Sequence, residues 1–238
     1  KNLKAVFYII FVSFFIILMF DEYRFSYNYP PVSPAKKWTD KPEIIKSLTP
    51  EYTKISSTTA VYSWNQVFLK SGWQNINPYI FFRNSLYPNY NVQFGIFSPD
   101  INTGGLIPRR ISLFASLAKN LDIDESNKEA TMSATAINSL SLAGVTHLIS
   151  PFRINNKSMV FKSEYSADDP INKDPFYIYR NNTKLPRSYL IFRSEKLDTL
   201  EDFYNKLADD NFLNEQKVMV EDDDLKINIP GKSVKNVA

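Results

Sequence analysis

The composition is typical of a chain that folds and that does not bind nucleic acid. Of its 238 residues, 44% are hydrophobic and 15% are aromatic, which is enough to bury a core in one large domain or two small ones. The 28 basic and 25 acidic residues are interleaved and give a net charge of only +3, so no basic surface for nucleic acid is expected. Because the chain has no cysteine, it has no disulfide framework, thiol nucleophile or zinc ribbon.

Residues 1–20 have the length and composition of a transmembrane helix. The uncharged run AVFYIIFVSFFIILMF lies in this segment. About 20 residues at roughly 1.5 Å each cross a hydrocarbon core of about 30 Å. Lys1 and Lys4 precede the run and acidic residues follow it, so the positive-inside rule predicts that residues 21–238 lie outside the cytoplasm.

Two other interpretations of this segment are weaker. A cleaved signal peptide is disfavoured because FDEYRF, rather than a run of small residues, follows the apolar stretch. A buried core helix is disfavoured because apolar residues occupy every helical face. Since the sequence begins with Lys1 rather than Met, we expect the segment to be the last span of a longer membrane protein.

Residues 21–37 are predicted to form a juxtamembrane linker. Aromatic residues recur at every second position from 23 to 29, and the prolines that follow favour an extended chain near the lipid headgroups.

The globular domain is predicted for residues 38–238. Its first helix is expected at Asp40, where D-K-P-E combines an N-cap with a proline in the first turn.

Strand-like and helix-like patterns alternate along this domain. β-Branched and aromatic residues predict strands at 54–64, 158–165, 175–181, 187–193 and 216–221. Helical spacing and capping residues predict helices at 107–121, from Ser126 to Gly144, and after Asp198, where Glu201 completes the cap. Gly144 is expected in a left-handed conformation between the second of these helices and the strand-like run VTHLI. The mixture predicts an α/β to α+β fold, with a mixed sheet flanked by helices.

The segment 71–99 is rich in aromatic residues and asparagine and has a single charge, Arg83. One interpretation is a surface that binds sugar or faces the membrane, with Trp73 and Arg83 among the residues that bind substrate. The other is an irregular packed loop whose rings complete the core. The sequence leaves both open.

Arg109 and Arg110 are also predicted to bind substrate. They begin a predicted helix after a pair of glycines in GGLIPRR. Two cations at a helix N-terminus oppose the helix dipole, so an anion or acidic partner nearby would account for them. A surface pair lying over the helix is an equally good interpretation.

Other patterns of catalysis or metal binding are weak. His147 is the only histidine, and in VTHLI it shares a strand face with apolar residues, so a packing role is expected. The D-x-D spacings at 122–124 and 222–224 lack the rest of a calcium loop. We expect no metal and no cofactor, and the catalytic residues remain unknown.

Four segments together resemble those of the YfhO-like bacterial membrane proteins, which are GT-C glycosyltransferases or their relatives. They are GVTHLISPF, YPNYNVQFGIFSPDINTGGLIPRR, FYIYRNNTKLPRSYLIFR and KVMVE. The resemblance covers roughly residues 40–225, and L-P-R-S-Y is its most distinctive part. Where that family has a basic residue followed by Tyr, this chain has Thr146 and His147, which agrees with a packing role for the ring.

The resemblance implies an accessory extracytoplasmic domain of a polytopic membrane glycosyltransferase. Such a protein moves a sugar from a polyprenyl-phosphate donor to a cell-envelope glycan acceptor, and its base lies in an early loop outside this sequence. The fragment itself lacks a complete catalytic set. The alternatives are a single-span anchored domain that binds a cell-envelope partner without catalysis, and a secreted hydrolase behind a signal peptide.

Overall fold

The computed structural model has the mixed α/β fold, with mixed sheets flanked by helices, that the sequence predicts. It describes residues 2–28, 33–48, 53–58, 72, 74–100, 109–124, 126–165, 175–215 and 217–220. The α-helices in that part are α1 (Asn2–Asn28), α2 (Lys36–Thr39), α3 (Asn77–Asn84), α4 (Arg109–Ala118), α5 (Ala134–Leu142) and α6 (Leu200–Leu207). The strands are β1 (Ile55–Ser57), β2 (Leu121–Asp124), β3 (Glu129–Met132), β4 (His147–Ser150), β5 (Arg153–Ile154), β6 (Met159–Tyr165), β7 (Phe176–Asn181), β8 (Arg193–Lys196) and β9 (Lys217–Val220).

Helix α1 is apolar and exposed. The stretch Lys4–Tyr27 is the one helix in the described part of the chain that is long and apolar enough to cross a membrane, and none of its apolar window is buried. A core helix of a domain would be buried, whereas a signal sequence has the same length and composition. Since α1 continues to Asn28, the first part of the predicted linker 21–37 is helical rather than extended.

The nine strands of the described residues form three sheets. The largest has the strand order β1-β4-β7-β6, in which β1 and β4 are parallel and the other pairs are antiparallel. A second sheet has the order β2-β3-β5, and β8 pairs with β9 in parallel. The predicted strands at 158–165, 175–181 and 216–221 correspond to β6, β7 and β9, although residue 216 lies outside the described residues.

Two hydrophobic clusters pack on opposite faces of the four-stranded sheet. Along β4, Leu148 belongs to one cluster and Ile149 to the other, because successive side chains of a strand point to opposite faces. The first, called here the α5 cluster, includes three residues of α5: Ala136, Ile137 and Leu140. The second, called here the aromatic cluster, includes Phe81, Phe82, Leu86, Tyr87, Ile149, Phe176 and Ile178.

Gly144 lies at the predicted join of helix and strand. Its φ is +68°, in the left-handed region, and it follows the end of α5. The N–H of Val145 then donates to the carbonyl of Leu140, 2.9 Å away, which closes the end of the helix before β4 begins. The glycine therefore allows the sharp change of direction that brings β4 into the sheet.

The predicted helix start at Ser126 is wrong. The carboxylate of Asp124 accepts hydrogen bonds from the N–H groups of Ser126 and Asn127, which makes a turn between β2 and β3. The helix begins later, at Ala134, and is capped by Ser133, whose hydroxyl accepts from the N–H of Ala136. The residues that resemble a helix cap in the sequence therefore form a turn, and Glu129 lies in β3.

Three other boundaries also differ from the sequence predictions. The last helix is capped by Thr199 and Asp202, one residue beyond the predicted pair, in a reciprocal capping box. The segment 187–192 is not a strand, and β8 begins at Arg193. The turn near Asp40 is a 3-10 helix, Glu43–Ser47, with no side-chain cap.

The predictions for residues 54–64 and 107–121 cover more residues than the elements observed. Of the predicted strand, residues 55–57 form β1 and 59–64 lie outside the described residues. Helix α4 ends at Ala118, and Leu121 already belongs to β2. Ile111, on the first turn of this helix, is 46% exposed.

Candidate ligand-binding cleft

A cleft of about 860 Å³ opens beside the α5 cluster. Four chain segments surround it: the end of β3 with the start of α5, the turn between β5 and β6, the loop after β7, and the loop after α6. Its polar lining residues are Thr131, Asn138, Asn155, Asn156, Lys157, Ser158, Asn182, Thr183, Asp210 and Asn214. Its apolar lining residues are Met132, Ala134, Ile137, Leu185 and Leu213. The cleft therefore combines an aliphatic floor with side-chain amides and hydroxyls.

Asn138 fixes the wall between α5 and the loop after α6. Its side chain is 4% exposed, and Nδ2 donates to the carbonyl oxygens of Leu207 and Asp209, both 2.9 Å away. A buried amide with two good acceptors holds its neighbours in one geometry, because losing either bond leaves a polar group unpaired. This amide positions Asp210 and Asn214 at the rim.

Asn181, at the end of β7, fixes the opposite wall. Its Nδ2 donates to Ser141 Oγ and to the Val145 carbonyl, both at 3.1 Å. Its Oδ1 accepts from the N–H and the hydroxyl of Thr183, at 3.0 and 2.8 Å. The loop that carries Asn182 into the cleft is thereby tied to α5.

The third wall is the turn between β5 and β6. Asn156 Oδ1 accepts from the N–H of Ser158 at 2.8 Å, in the pattern of an Asx turn. This turn leaves Asn155 and Lys157 exposed at the cleft. Asparagines therefore build the walls by bonding backbone groups and, for Asn181, also the hydroxyls of Ser141 and Thr183.

A second set of polar side chains in the cleft has no protein partner. Within the described part of the chain, the side chains of Thr131, Asn155, Lys157, Asp210 and Asn214 make no hydrogen bond or ion pair to the protein. They carry donors, acceptors and one charge of each sign. A neutral polar ligand that lies on the aliphatic floor could exchange hydrogen bonds with them.

Asp100 is a buried carboxyl outside the cleft. It is 6% exposed, and it accepts from the N–H of Ser57 at 2.8 Å and the hydroxyl of Ser56 at 3.2 Å. Burial raises its pKa above the ordinary value, although Lys119 Nζ, 3.9 Å away, opposes the shift. Its oxygens are thus occupied by the end of β1 and by a half-buried lysine.

His147 is buried as the packing interpretation expects. It is 3% exposed, and its Nδ1 lies 3.0 Å from the hydroxyl of Thr146. Burial, and then the positive charges of Lys184, Arg180 and Lys162, lower its pKa to about 4. The ring is therefore neutral at physiological pH and has no place in the lining of the cleft.

Of the four predicted substrate-binding residues, Arg83 has a described side chain, and it does not line this cleft. Arg83 is 3% exposed and lies beside the aromatic cluster, where its guanidinium donates to the carbonyl oxygens of Trp38 and Asp40. Arg109 and Arg110 begin α4, but their side chains lie outside the described residues, as does Trp73. A role in ligand binding stays a prediction for all four.

The aromatic segment 71–99 is mostly packed rather than open. Phe81, Phe82 and Tyr87 are buried, and Phe81 and Phe82 lie on α3, a helix that the sequence analysis did not predict. Phe97 is the exception at 67% exposed. The packed interpretation therefore describes most of these rings.

The cleft cannot be recognised in the sequence because its residues come from four distant segments. A signal existed in the asparagine pairs at 155–156 and 181–182, which end two strands, but asparagine is common in turns for conformational reasons alone. Among the described residues, no group of three or more His, Cys, Asp or Glu side chains could hold a metal ion. No protein-family model, curated protein or solved structure matches the chain.

Proposed function

We propose that the protein is a membrane-anchored domain outside the cytoplasm and that its cleft binds a neutral glycan of the cell envelope. The observation that carries the proposal is the set of unpartnered amides and hydroxyls above an aliphatic floor. Sugars present hydroxyl groups around an apolar C–H surface, so they fit this combination better than a purely apolar or an ionic ligand does.

The anchor is α1, and the side of the membrane follows from the flanking charges. Lys1 and Lys4 precede the apolar stretch and Asp21 and Glu22 follow it, which favours export of the domain. A tag at the C-terminus tests this directly in intact cells. Labelling of the tag by an impermeant reagent supports export, whereas labelling only after the cells are permeabilised rejects it.

We propose further that the domain is an accessory part of a glycosyltransferase system that uses a polyprenyl-phosphate-sugar donor. The resemblance of four segments to the YfhO-like proteins supports this, and the cleft would hold the glycan acceptor. The prediction for Arg109 and Arg110 belongs here. Replacing both with Ala should lower sugar transfer in membranes without lowering the melting temperature, and unchanged transfer would remove them from the mechanism.

An anchored glycan-binding domain without any transferase is the second candidate. It is favoured by the lining of the cleft, where Asp210 is the only carboxylate and no histidine is present among the described lining residues. Among these residues there is therefore neither a pair of carboxylates nor a histidine beside a carboxylate to act as acid and base. Sugar transfer that persists after the protein is deleted would favour this candidate over the accessory role.

Binding is tested with the detergent-solubilised full chain and a panel of neutral hexose and N-acetylhexosamine oligosaccharides. The double variant Asn155→Ala with Asn214→Ala should weaken binding at least about tenfold, since each lost hydrogen bond contributes roughly 1 kcal/mol. Asn205→Ala is the matched control, because Asn205 is an exposed asparagine of α6 outside the cleft. No binding by the unmodified chain, or equal weakening by the control, would reject the glycan site.

A further inference from the structure

The segment after β7 exposes apolar side chains in an unusual way. Residues 184–192 form no helix or strand, and we call 184–193 the basic segment. Leu190 is 76% exposed, more than any other exposed large hydrophobic residue in the described part of the chain, including those of α1. Tyr189 beside it is 46% exposed. Together the two side chains form a small exposed apolar patch.

Basic residues flank Tyr189 and Leu190 in the sequence. The basic segment contains Lys184, Arg187 and Arg193, all exposed, and it has no acidic residue. Lys184 also lies close enough to β6 and β7 to act together with Arg180 and Lys162 on the buried His147. The positive charge of the segment therefore continues across the neighbouring strands.

We propose that the basic segment docks on the surface of an anionic lipid bilayer. Tyr189 and Leu190 enter the boundary between headgroups and acyl chains, and the basic side chains contact lipid phosphates. An amphipathic ring beside an aliphatic side chain suits that boundary, and each cation near an anionic surface adds to the attraction.

Charge and connectivity favour lipid as the occupant. The segment combines an apolar tip with cations alone, which complements a surface that is apolar below and anionic above. If α1 spans the membrane, as proposed above, the bilayer is held next to the domain at a high effective concentration, so even weak contacts are occupied. Val92 provides the contrast: it is 69% exposed, but residues 84–99 around it contain no charge.

The absence of cysteine allows a direct test with single-cysteine variants. Leu190→Cys is labelled with an environment-sensitive fluorophore, and the full chain is inserted into vesicles of phosphatidylcholine alone or with 30% phosphatidylglycerol, a composition on the order of anionic bacterial membranes. On anionic vesicles the probe at 190 should shift to shorter wavelength and be quenched by brominated lipid at least about twofold more than on neutral vesicles. The matched control, Val92→Cys, should show neither change.

A second variant tests the role of charge. Replacing Lys184, Arg187 and Arg193 with Gln should return the probe at 190 to its signal on neutral vesicles, while glycan binding stays unchanged because none of the three lines the cleft. A probe at 190 that stays in water on a chain that still floats with the vesicles would overturn the docking proposal and leave the glycan proposal intact. A shift at 190 only when an acidic protein is added would assign the segment to a protein partner and also overturn it. A chain that fails to float with vesicles would instead reject the anchor.

Discussion

The two faces of the four-stranded sheet use polar side chains in opposite ways. On the aromatic face, Arg83 and Asn91 are each 3% exposed, and their polar atoms meet backbone groups. On the face of the α5 cluster, Asn155 and Lys157 are exposed at a cleft and have no partner in the described part of the chain. The same residue types therefore serve the fold on one face and are available to a ligand on the other.

The difference has a simple physical basis. A buried polar group must be paired by the protein, because water cannot reach it and an unpaired group costs about 1 to 3 kcal/mol. An exposed group is paired by water at no cost to the fold. Where several exposed groups surround an aliphatic floor, a ligand can replace the water and gain both polar and apolar contacts. Polar side chains that are hydrogen-bonded by the protein therefore stabilise the fold, whereas those hydrogen-bonded by water can bind a ligand.

The largest effect should come from removing the buried guanidinium. Arg83→Met should lower the free energy of unfolding by about 4 kcal/mol, because the carbonyl oxygens of Trp38 and Asp40 lose a charged donor inside the protein. Urea unfolding of the chain in detergent, followed by tryptophan fluorescence, measures the change. Arg83→Lys should recover little of this stability, since an ammonium lacks the planar arrangement of N–H groups with which the guanidinium donates to both carbonyl oxygens.

Lys157→Met is the matched control on the other face. We expect a change in unfolding free energy of less than about 0.5 kcal/mol, as for ordinary surface positions. Equal losses for the two variants would mean that the contrast between the faces is wrong.

The second effect concerns pH and the buried imidazole of His147. Its pKa in the folded state is about 4, below the ordinary value of 6.5, so between these values the unfolded chain binds the proton and the folded chain does not. Stability should therefore be complete above about pH 6.5 and fall as the pH drops to about 4, by on the order of 3 kcal/mol.

The variant His147→Gln isolates this contribution. Because glutamine does not titrate, the difference in unfolding free energy between the variant and the unmodified chain should depend on pH across that window. Asp100 does not mimic the effect: burial raises its pKa, so its protonation favours the folded state as the pH falls. A difference that stays constant from pH 7 to pH 4 would contradict the prediction.

Much of the fold followed from local patterns in the sequence. Strands β6 and β7 are rich in aromatic and β-branched residues and are bounded by turn residues. Gly144 adopts the left-handed conformation that ends many helices, as predicted. The failure at Ser126 has a local cause. The carboxylate of Asp124 bonds the N–H groups that a helix start would have presented, so the same letters form a turn.

The cleft could not have been predicted in the same way. Asn155 and Asn214 are far apart in the sequence and come to one cavity only through the packing of α5 against its neighbours. The sequence also does not show whether an asparagine side chain has a partner: Asn156 accepts from the N–H of Ser158, whereas the side chain of its neighbour Asn155 has no partner in the described part of the chain. Arg83 was predicted to bind substrate as the single charge of an aromatic segment, but it is buried and its guanidinium has backbone partners.

A matched pair of asparagines sharpens the comparison further. Asn91→Ala should cost about 2 kcal/mol of unfolding free energy, because its amide bridges the Ile96 carbonyl, 2.6 Å away, and the N–H of Asn89, 3.0 Å away. Asn155→Ala should cost less than about 0.5 kcal/mol and weaken glycan binding instead. Urea unfolding and oligosaccharide titration on the same preparations measure both quantities. If Asn155→Ala lowers stability as much as Asn91→Ala does, the cleft amides are structural.

The smallest loss of unfolding free energy should come from replacing a left-handed glycine with alanine, and it should be the same on both faces of the sheet. Gly144 and Gly95 have φ values of +68° and +70°, and an added Cβ would meet no atom closer than 3.8 Å at either position. The cost of alanine there is therefore set by the left-handed backbone alone, about 1 kcal/mol at each site. Replacement with Asn should cost less, since asparagine tolerates this conformation. Urea unfolding of the four variants should give two equal alanine losses and two smaller asparagine losses. A much larger loss at Gly144 would show that the entry to β4, and with it the wall of the cleft, depends on more than backbone conformation.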